Sequence, residues 1–221
     1  MCGRFAFYSP AQATAELFGV HTLLETEPRY NIAPTQYIPA VRATDDGREL
    51  AMLKWGLVPF WAKDPSIGNR MINARAETVA EKPSYRNAYK HRRCLVLADG
   101  FYEWHREGDT KVPYFISLAS GEPFAFAGLW ERWKNRDDGD VLDSATLITT
   151  DANEYLSQVH HRMPLILTPD TADRWLSGDT TLIDEAHEVT PALQAWPVSR
   201  QVNNARNEGE ELVYPDGEKL A

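Results

Sequence analysis

Short apolar runs recur along this chain, and each is stopped by Gly, Pro, Asp or Asn before it grows long. That rhythm leaves room for strands joined by tight turns and little room for long helices. Residues 2–8 alternate like a strand, and 37–43 and 49–57 read as a pair joined at Asp45-Asp46-Gly47. Residues 93–104, 112–118, 124–130, 144–150, 165–167 and 193–198 continue the series, with a turn at Gly108-Asp109. Helical signals are fewer. Ser9-Pro10 opens one helix through Phe18, with Ser as N-cap and Pro at the first helical position. Residues 77–90 read as a helix broken at Pro83, 153–159 as a short one, and Thr168-Pro169 starts another through Leu176. The pattern predicts an α+β fold: a mainly antiparallel, partly closed β-barrel-like sheet with peripheral helices. One domain over residues 1–221 is expected, with an acidic polar tail from about residue 205.

Composition removes several function classes. No apolar run approaches the ~20 residues that cross a bilayer, and no charged start precedes a long apolar core as in a signal peptide. The two cysteines, Cys2 and Cys94, are too few for a secreted disulfide framework, so a reducing cytoplasm is expected. Neither GxGxxG nor GxxxxGK[ST] occurs, which argues against a nucleotide-phosphate loop. A net charge of −9 argues against a generic nucleic-acid binder. Its distribution is uneven: Arg70, Arg75, Lys82, Arg86, Lys90, Arg92 and Arg93 face only Glu77 and Glu81 in one segment. That segment is either a patch for a phosphate backbone or a solvated helix face.

The second residue carries the sharpest chemical signal. Met1 is followed by Cys2-Gly3-Arg4, and Met1 is commonly removed when residue 2 is small. Removal would leave Cys2 with an α-amine of pKa about 7.7–8 beside a thiol of about 8.5, a pair suited to attack on an aldehyde. The alternative is a small apolar residue in the first strand. Glu103 lies in an aromatic run, where desolvation would raise its pKa toward that of a general acid or base; an exposed Glu on a strand is the alternative. Strand alternation puts Phe101 and Glu103 on one face and Tyr102 and Trp104 on the other. His160-His161 suggests an acid/base imidazole or a surface pair, and no metal-ligand spacing such as HExxH or CxxC accompanies it. Asn73 could donate to an oxyanion or a sugar hydroxyl. Asn31 could do the same or shape its Pro-flanked loop. Arg4, Arg75 and Arg162 stand next to these groups, and a guanidinium fork suits phosphate. Trp55, Trp61 and Trp104 could stack on unpaired bases, although most tryptophans are core. Cys94 reads as buried and inert.

Taken together, Met-Cys-Gly-Arg at the start, Asn73-Ala-Arg-Ala-Glu77, Gly100-Phe-Tyr-Glu-Trp104 and His160-His-Arg-Met-Pro164 resemble the SOS response-associated peptidase family. Val202-Asn203 is similar to that family's ending, whereas the acidic tail and the turn at 135–143 look like local variation. The resemblance implies a protein that senses abasic sites in single-stranded DNA and cross-links to them through Cys2 as a thiazolidine. It implies Glu103 for proton handling, Asn73 for positioning the sugar or the amine, and His160 for proton transfer and reversal. Arg4, Arg75, Arg162, Arg86 and Trp104 would hold the DNA, and Asn31 and Thr149 would line the pocket. Self-removal of Met1, no cofactor, no metal, no membrane partner and a monomer in the cytoplasm, at the nucleoid when bound to DNA, complete the expectation. Two other classes remain: an N-terminal-nucleophile amidohydrolase or peptidase using Cys2, and a non-catalytic nucleic-acid module in which Cys2 is dispensable.

Overall fold

A computed structural model describes residues 2–20 and 26–221; Met1, and with it any removal of that residue, lies outside the described residues. In chain order, β1 (Phe5–Phe7), α1 (Ala11–Leu17), β2 (Arg29–Ile32), β3 (Tyr37–Thr44) and β4 (Gly47–Trp55) lead to β5 (Asn73–Arg75). There follow α2 (Ala76–Val79), α3 (Arg86–His91), β6 (Arg93–Ala98), β7 (Gly100–Glu107), β8 (Thr110–Leu118) and β9 (Phe124–Lys134). The last part holds β10 (Val141–Asp151), α4 (Glu154–Ser157), β11 (Arg162–Pro164), β12 (Ile166–Leu167) and α5 (Pro169–Leu176). It ends with α6 (Thr181–Asp184), α7 (Ala186–Val189) and β13 (Leu193–Pro197).

The strands form two sheets. β3, β4, β10, β9 and β6 close on one another into a barrel, so the expected part-closure is complete. The β4–β10 contact is parallel, which makes the barrel mixed. The second sheet is antiparallel, in the order β13-β8-β7-β1-β2. Local turn chemistry explains the hairpins: β3–β4 closes through Asp45-Asp46 and β7–β8 through Gly108-Asp109, both as expected. Thr168 caps α5 with Pro169 in its first turn, also as expected.

The run expected as one strand divides at the Asp99-Gly100 pair. Residues 93–104 form not one strand but two, β6 in the barrel and β7 in the second sheet. The switch sits at Asp99-Gly100. Asp99 accepts hydrogen bonds from the backbone of Tyr8 and Ser9 at 2.6 and 2.8 Å and from the Ser9 hydroxyl. Ser9 therefore bonds Asp99, and α1 begins after Pro10 without a side-chain cap. A Cβ on Gly100 would stand 2.2 Å from the Phe115 ring, so only glycine lets the chain turn this tightly against β8. The helix expected over 77–90 is likewise two short ones, α2 and α3, parted around Pro83. The strand expected over 2–8 is regular only at Phe5–Phe7, and β2, β5 and β11 lie in stretches too irregular to read as strands.

The core sits between the two sheets. Phe5 of β1 meets Trp55 and Phe126 at ring centroid distances of 5.2 and 5.6 Å, and Phe101 of β7 meets Phe126 at 5.9 Å. Each such ring contributes about 1.5–3 kcal/mol by burial. β10 is long enough to outrun the barrel. Its second half pairs with β5 on one side, Leu147 opposite Asn73, and with β11 on the other, Asp151 opposite Arg162. The acidic, polar end of the chain packs back on the fold: Leu212 is buried, and Val198 bridges to Pro215. Among the described residues no helix is long and apolar enough to cross a membrane.

Candidate active site

The N-terminal segment runs beside β7. The Tyr102 N–H donates to the Arg4 carbonyl at 2.9 Å, and β1 continues the pairing with Phe5 opposite Phe101. This lays Cys2 along the strand that carries Glu103. Phe101 points into the intersheet core, so Glu103, two residues on, points inward as well and is only 4% exposed. Tyr102 and Trp104 take the opposite face, as alternation requires.

Cys2 is buried, with its Sγ 3.8 Å from the Arg4 carbonyl. Burial, reinforced by the nearby Glu103 charge, pushes its thiol well above the ordinary range. Asn73, at the start of β5, donates from Nδ2 to the Cys2 carbonyl at 2.7 Å, and its Oδ1 is buried without a hydrogen-bond partner. Burial also raises the Glu103 carboxyl, against the opposing pull of the His161 charge and the Trp104 N–H. His160 moves the other way: burial holds its imidazole below the usual value, and the Arg162 charge adds to the shift. One carboxyl raised and one imidazole lowered is the arrangement that separates a proton donor from a proton acceptor near neutral pH.

His160 is fixed by its neighbours. Its N–H bonds the Leu156 carbonyl at 2.9 Å at the end of α4, and its ring stacks on His161 at 4.4 Å. Nδ1 lies 3.0 Å from the Arg162 N–H and 3.1 Å from the Arg162 carbonyl, so Nδ1 is occupied in either tautomer. His160, His161 and Trp104 line one open groove of about 400 Å³ with His105, Arg106 and Lys111.

The arginines divide into two groups. Arg75 and Arg86 are exposed. Arg162 is not: it is 6% exposed and its fork is closed by carboxylates. It donates to Glu77 at 2.6 and 3.0 Å, to Asp151 at 2.6 Å and to the Thr149 carbonyl at 2.7 Å. The expected phosphate fork is thus spent on tying α2, β10 and β11 together. Asn31 differs as well. It is fully buried and braces Arg4 and the 202–207 turn, with no polar atom left to line a pocket. Thr149 is buried on β10 with its hydroxyl unpartnered. Among the tryptophans, Trp55 is core and bonds the Ile72 carbonyl, Trp104 is half-buried, and Trp61 is 42% exposed beside exposed Phe60. Nothing in the sequence singles out His161 or Asn203, yet the first lies within electrostatic reach of Glu103 and the second holds Trp104.

These features define a class: an α+β barrel protein with a buried cysteine at residue 2, its carbonyl held by an amide and its thiol near a carboxyl of raised pKa. Residues 1–205 match the SOS response associated peptidase (SRAP) family, and the chain belongs to it. It is 42% identical over 222 residues to the abasic site processing protein YoqW of Bacillus subtilis, covering 96% of this chain and 99% of that one. It is 35% identical over 227 residues to the abasic site processing protein YedK of Escherichia coli, covering 97% and 100%. A crystal structure of a Bacteroides thetaiotaomicron protein superposes with a TM-score of 0.84 at 26% identity, over 97% of this chain and 99% of that one.

Proposed function

We propose that this protein binds abasic sites in single-stranded DNA and, once Met1 is gone, captures them covalently through Cys2. The observation that carries this reading is the Asn73 amide on the Cys2 carbonyl with the raised Glu103 carboxyl beside the thiol. The names of the relatives supply the substrate class.

Opening of the abasic sugar moves the 1′-hydroxyl proton to the ring oxygen and exposes an aldehyde at C1′. Glu103, whose carboxyl burial raises, relays that proton. The Cys2 amine adds to C1′ and water leaves, giving a Schiff base. Cys2 Sγ then adds to the same carbon while its proton passes to nitrogen. The ring closes through N, Cα, Cβ, Sγ and C1′. A neutral His160 takes and returns protons in these steps and in their reversal. Asn73 holds the Cys2 backbone, and its free Oδ1 accepts from the amine or a sugar hydroxyl. Arg4, Arg75 and Arg86 hold phosphates, and Trp104 and Trp61 offer stacking faces worth about 1–3 kcal/mol per base. Arg162 supports the site from beneath. The family's description as a peptidase suits hydrolysis of the Met1–Cys2 peptide by the same groups, which would free the amine.

The test is a denaturing gel of the processed protein with an oligonucleotide carrying one abasic site. A covalent band that disappears in Cys2→Ala, and when Met1 is retained, supports the proposal. Absence of any band with correctly processed protein overturns it.

A further inference from the structure

The turn after β13 brings the end of the chain against its beginning. Arg4 Nη1 donates to Asn31 Oδ1 at 2.7 Å and to the Val202 carbonyl at 2.6 Å. Asn31 Nδ2 donates to the carbonyls of Asn204 and Asn207 at 3.0 and 2.9 Å, with that of Val202 at 3.3 Å. One residue along, Asn203 Oδ1 accepts the Trp104 indole N–H at 2.7 Å. Val202 and Trp104 pack in the same small cluster with Tyr102 and Phe115. Glu208 ties the turn down from outside, accepting from Arg29 Nε at 2.8 Å and from the Tyr30 N–H at 2.9 Å. Asn207 and Glu208 lie beyond residue 205, where the family match ends.

We propose that Asn31 and Asn203 are positioning residues, which act through this turn to pre-set Arg4 and Trp104 for a DNA strand. The inference rests on the proposed function, in which those two side chains touch DNA. Charge supports it. Arg29, Arg42, Arg162 and Arg174 all have their guanidinium groups bonded to carboxylates. Arg4 is held by an amide oxygen and a carbonyl, and among the described residues no carboxylate pairs with it. A neutral bracket fixes the fork without cancelling its charge, and Arg4 Nε is left buried and unpartnered. A fork already fixed loses less side-chain entropy when a phosphate arrives. Asn203 does the same for Trp104, holding the indole by its edge and leaving a face free to stack.

The test uses the processed full chain and an oligonucleotide carrying a tetrahydrofuran abasic analogue, which cannot cross-link. Asn203 is exposed, so Asn203→Ala leaves the fold intact. We expect it to weaken binding of the analogue about five- to tenfold, the scale of one lost hydrogen bond, with the cross-linking rate at saturating protein unchanged. Asn203→Ala added to Trp104→Ala should cost nothing further, and Asn31→Ala added to Arg4→Ala should behave likewise. Unchanged affinity in Asn203→Ala, or losses that simply add, overturn the inference. The indole N–H resonance of Trp104 provides a readout without DNA: it should shift in Asn203→Ala. A shift with no binding of the analogue by the wild-type protein would sink the DNA reading and this inference with it. A normal wild-type affinity with no shift would sink this inference alone.

Discussion

Asn73 Nδ2 and the Cys2 carbonyl are 2.7 Å apart, and this bond fastens β5 to the N-terminal segment. Asn73→Ala removes the bond and lets the Cys2 backbone drift. Misplacement by about 1 Å costs on the order of 100-fold in rate. We expect single-turnover cross-linking to fall by about that factor, with binding of the tetrahydrofuran analogue within about threefold of wild type. A parallel loss of binding would assign Asn73 to DNA contact instead.

Glu103→Gln should separate chemistry from stability. Burial raises the Glu103 carboxyl in the folded protein. The folded state therefore holds the proton more tightly, and wild type loses stability as pH rises from the ordinary carboxyl range through the raised folded value. The glutamine variant escapes that loss. Its melting temperature should equal or exceed that of wild type at pH 7 and converge with it near pH 4, while cross-linking falls about 10²–10⁴-fold.

His160 is held below the ordinary imidazole value of about 6.5. If it serves as the base, the acid limb of the rate profile should fall at a pH below that value and vanish in His160→Gln. A limb at or above the ordinary value would contradict the assignment.

Arg162 and Arg75 should respond oppositely. Arg162→Met strands Glu77 and Asp151, which are 47% and 77% exposed and can rehydrate, so the loss of folding stability should be about 2–3 kcal/mol, below the full buried-pair cost. Urea unfolding measures it. Arg75→Gln should change stability by less than about 0.5 kcal/mol and lower the salt slope of DNA binding by about one counterion. A salt slope reduced by Arg162→Met would return that residue to the phosphate contacts.

Asp99→Asn should loosen the corner between β6 and β7. The carboxylate accepts from the backbone of Tyr8 and Ser9 and from the Ser9 hydroxyl. Loss of these charge-assisted bonds should cost about 1–3 kcal/mol in the same urea assay.

Hairpin turns, the α5 cap and the shared face of Phe101 and Glu103 were legible because each depends on residues a few positions apart. Asp45-Asp46-Gly47, Thr168-Pro169 and the Phe101/Glu103 alternation need no knowledge of the rest of the chain. The Asp99-Gly100 pair is a local stop that the reading of 93–104 as one strand passes over, and the groups that hold it, Tyr8 and Ser9, are about ninety residues away. Arg162 is a related case. A guanidinium fits a phosphate and a carboxylate equally well, and only packing shows which one it meets. The acidic, polar composition of the tail gives no sign that Leu212 is buried or that Asn207 bonds Asn31.

By itself, then, the sequence determined the strand-rich α+β class and marked Cys2, Asn73, Glu103 and His160 as candidates for the chemistry. These follow from local periodicity and from the chemistry of single side chains. The tertiary structure alone decided that five strands close into a barrel and that β10 carries β5 and β11 on its two sides. It alone decided that Arg162 is a tie and that the turn at 202–207 braces Arg4 and Trp104. Those outcomes depend on which distant partner satisfies each buried polar group, and sequence spacing does not encode that choice.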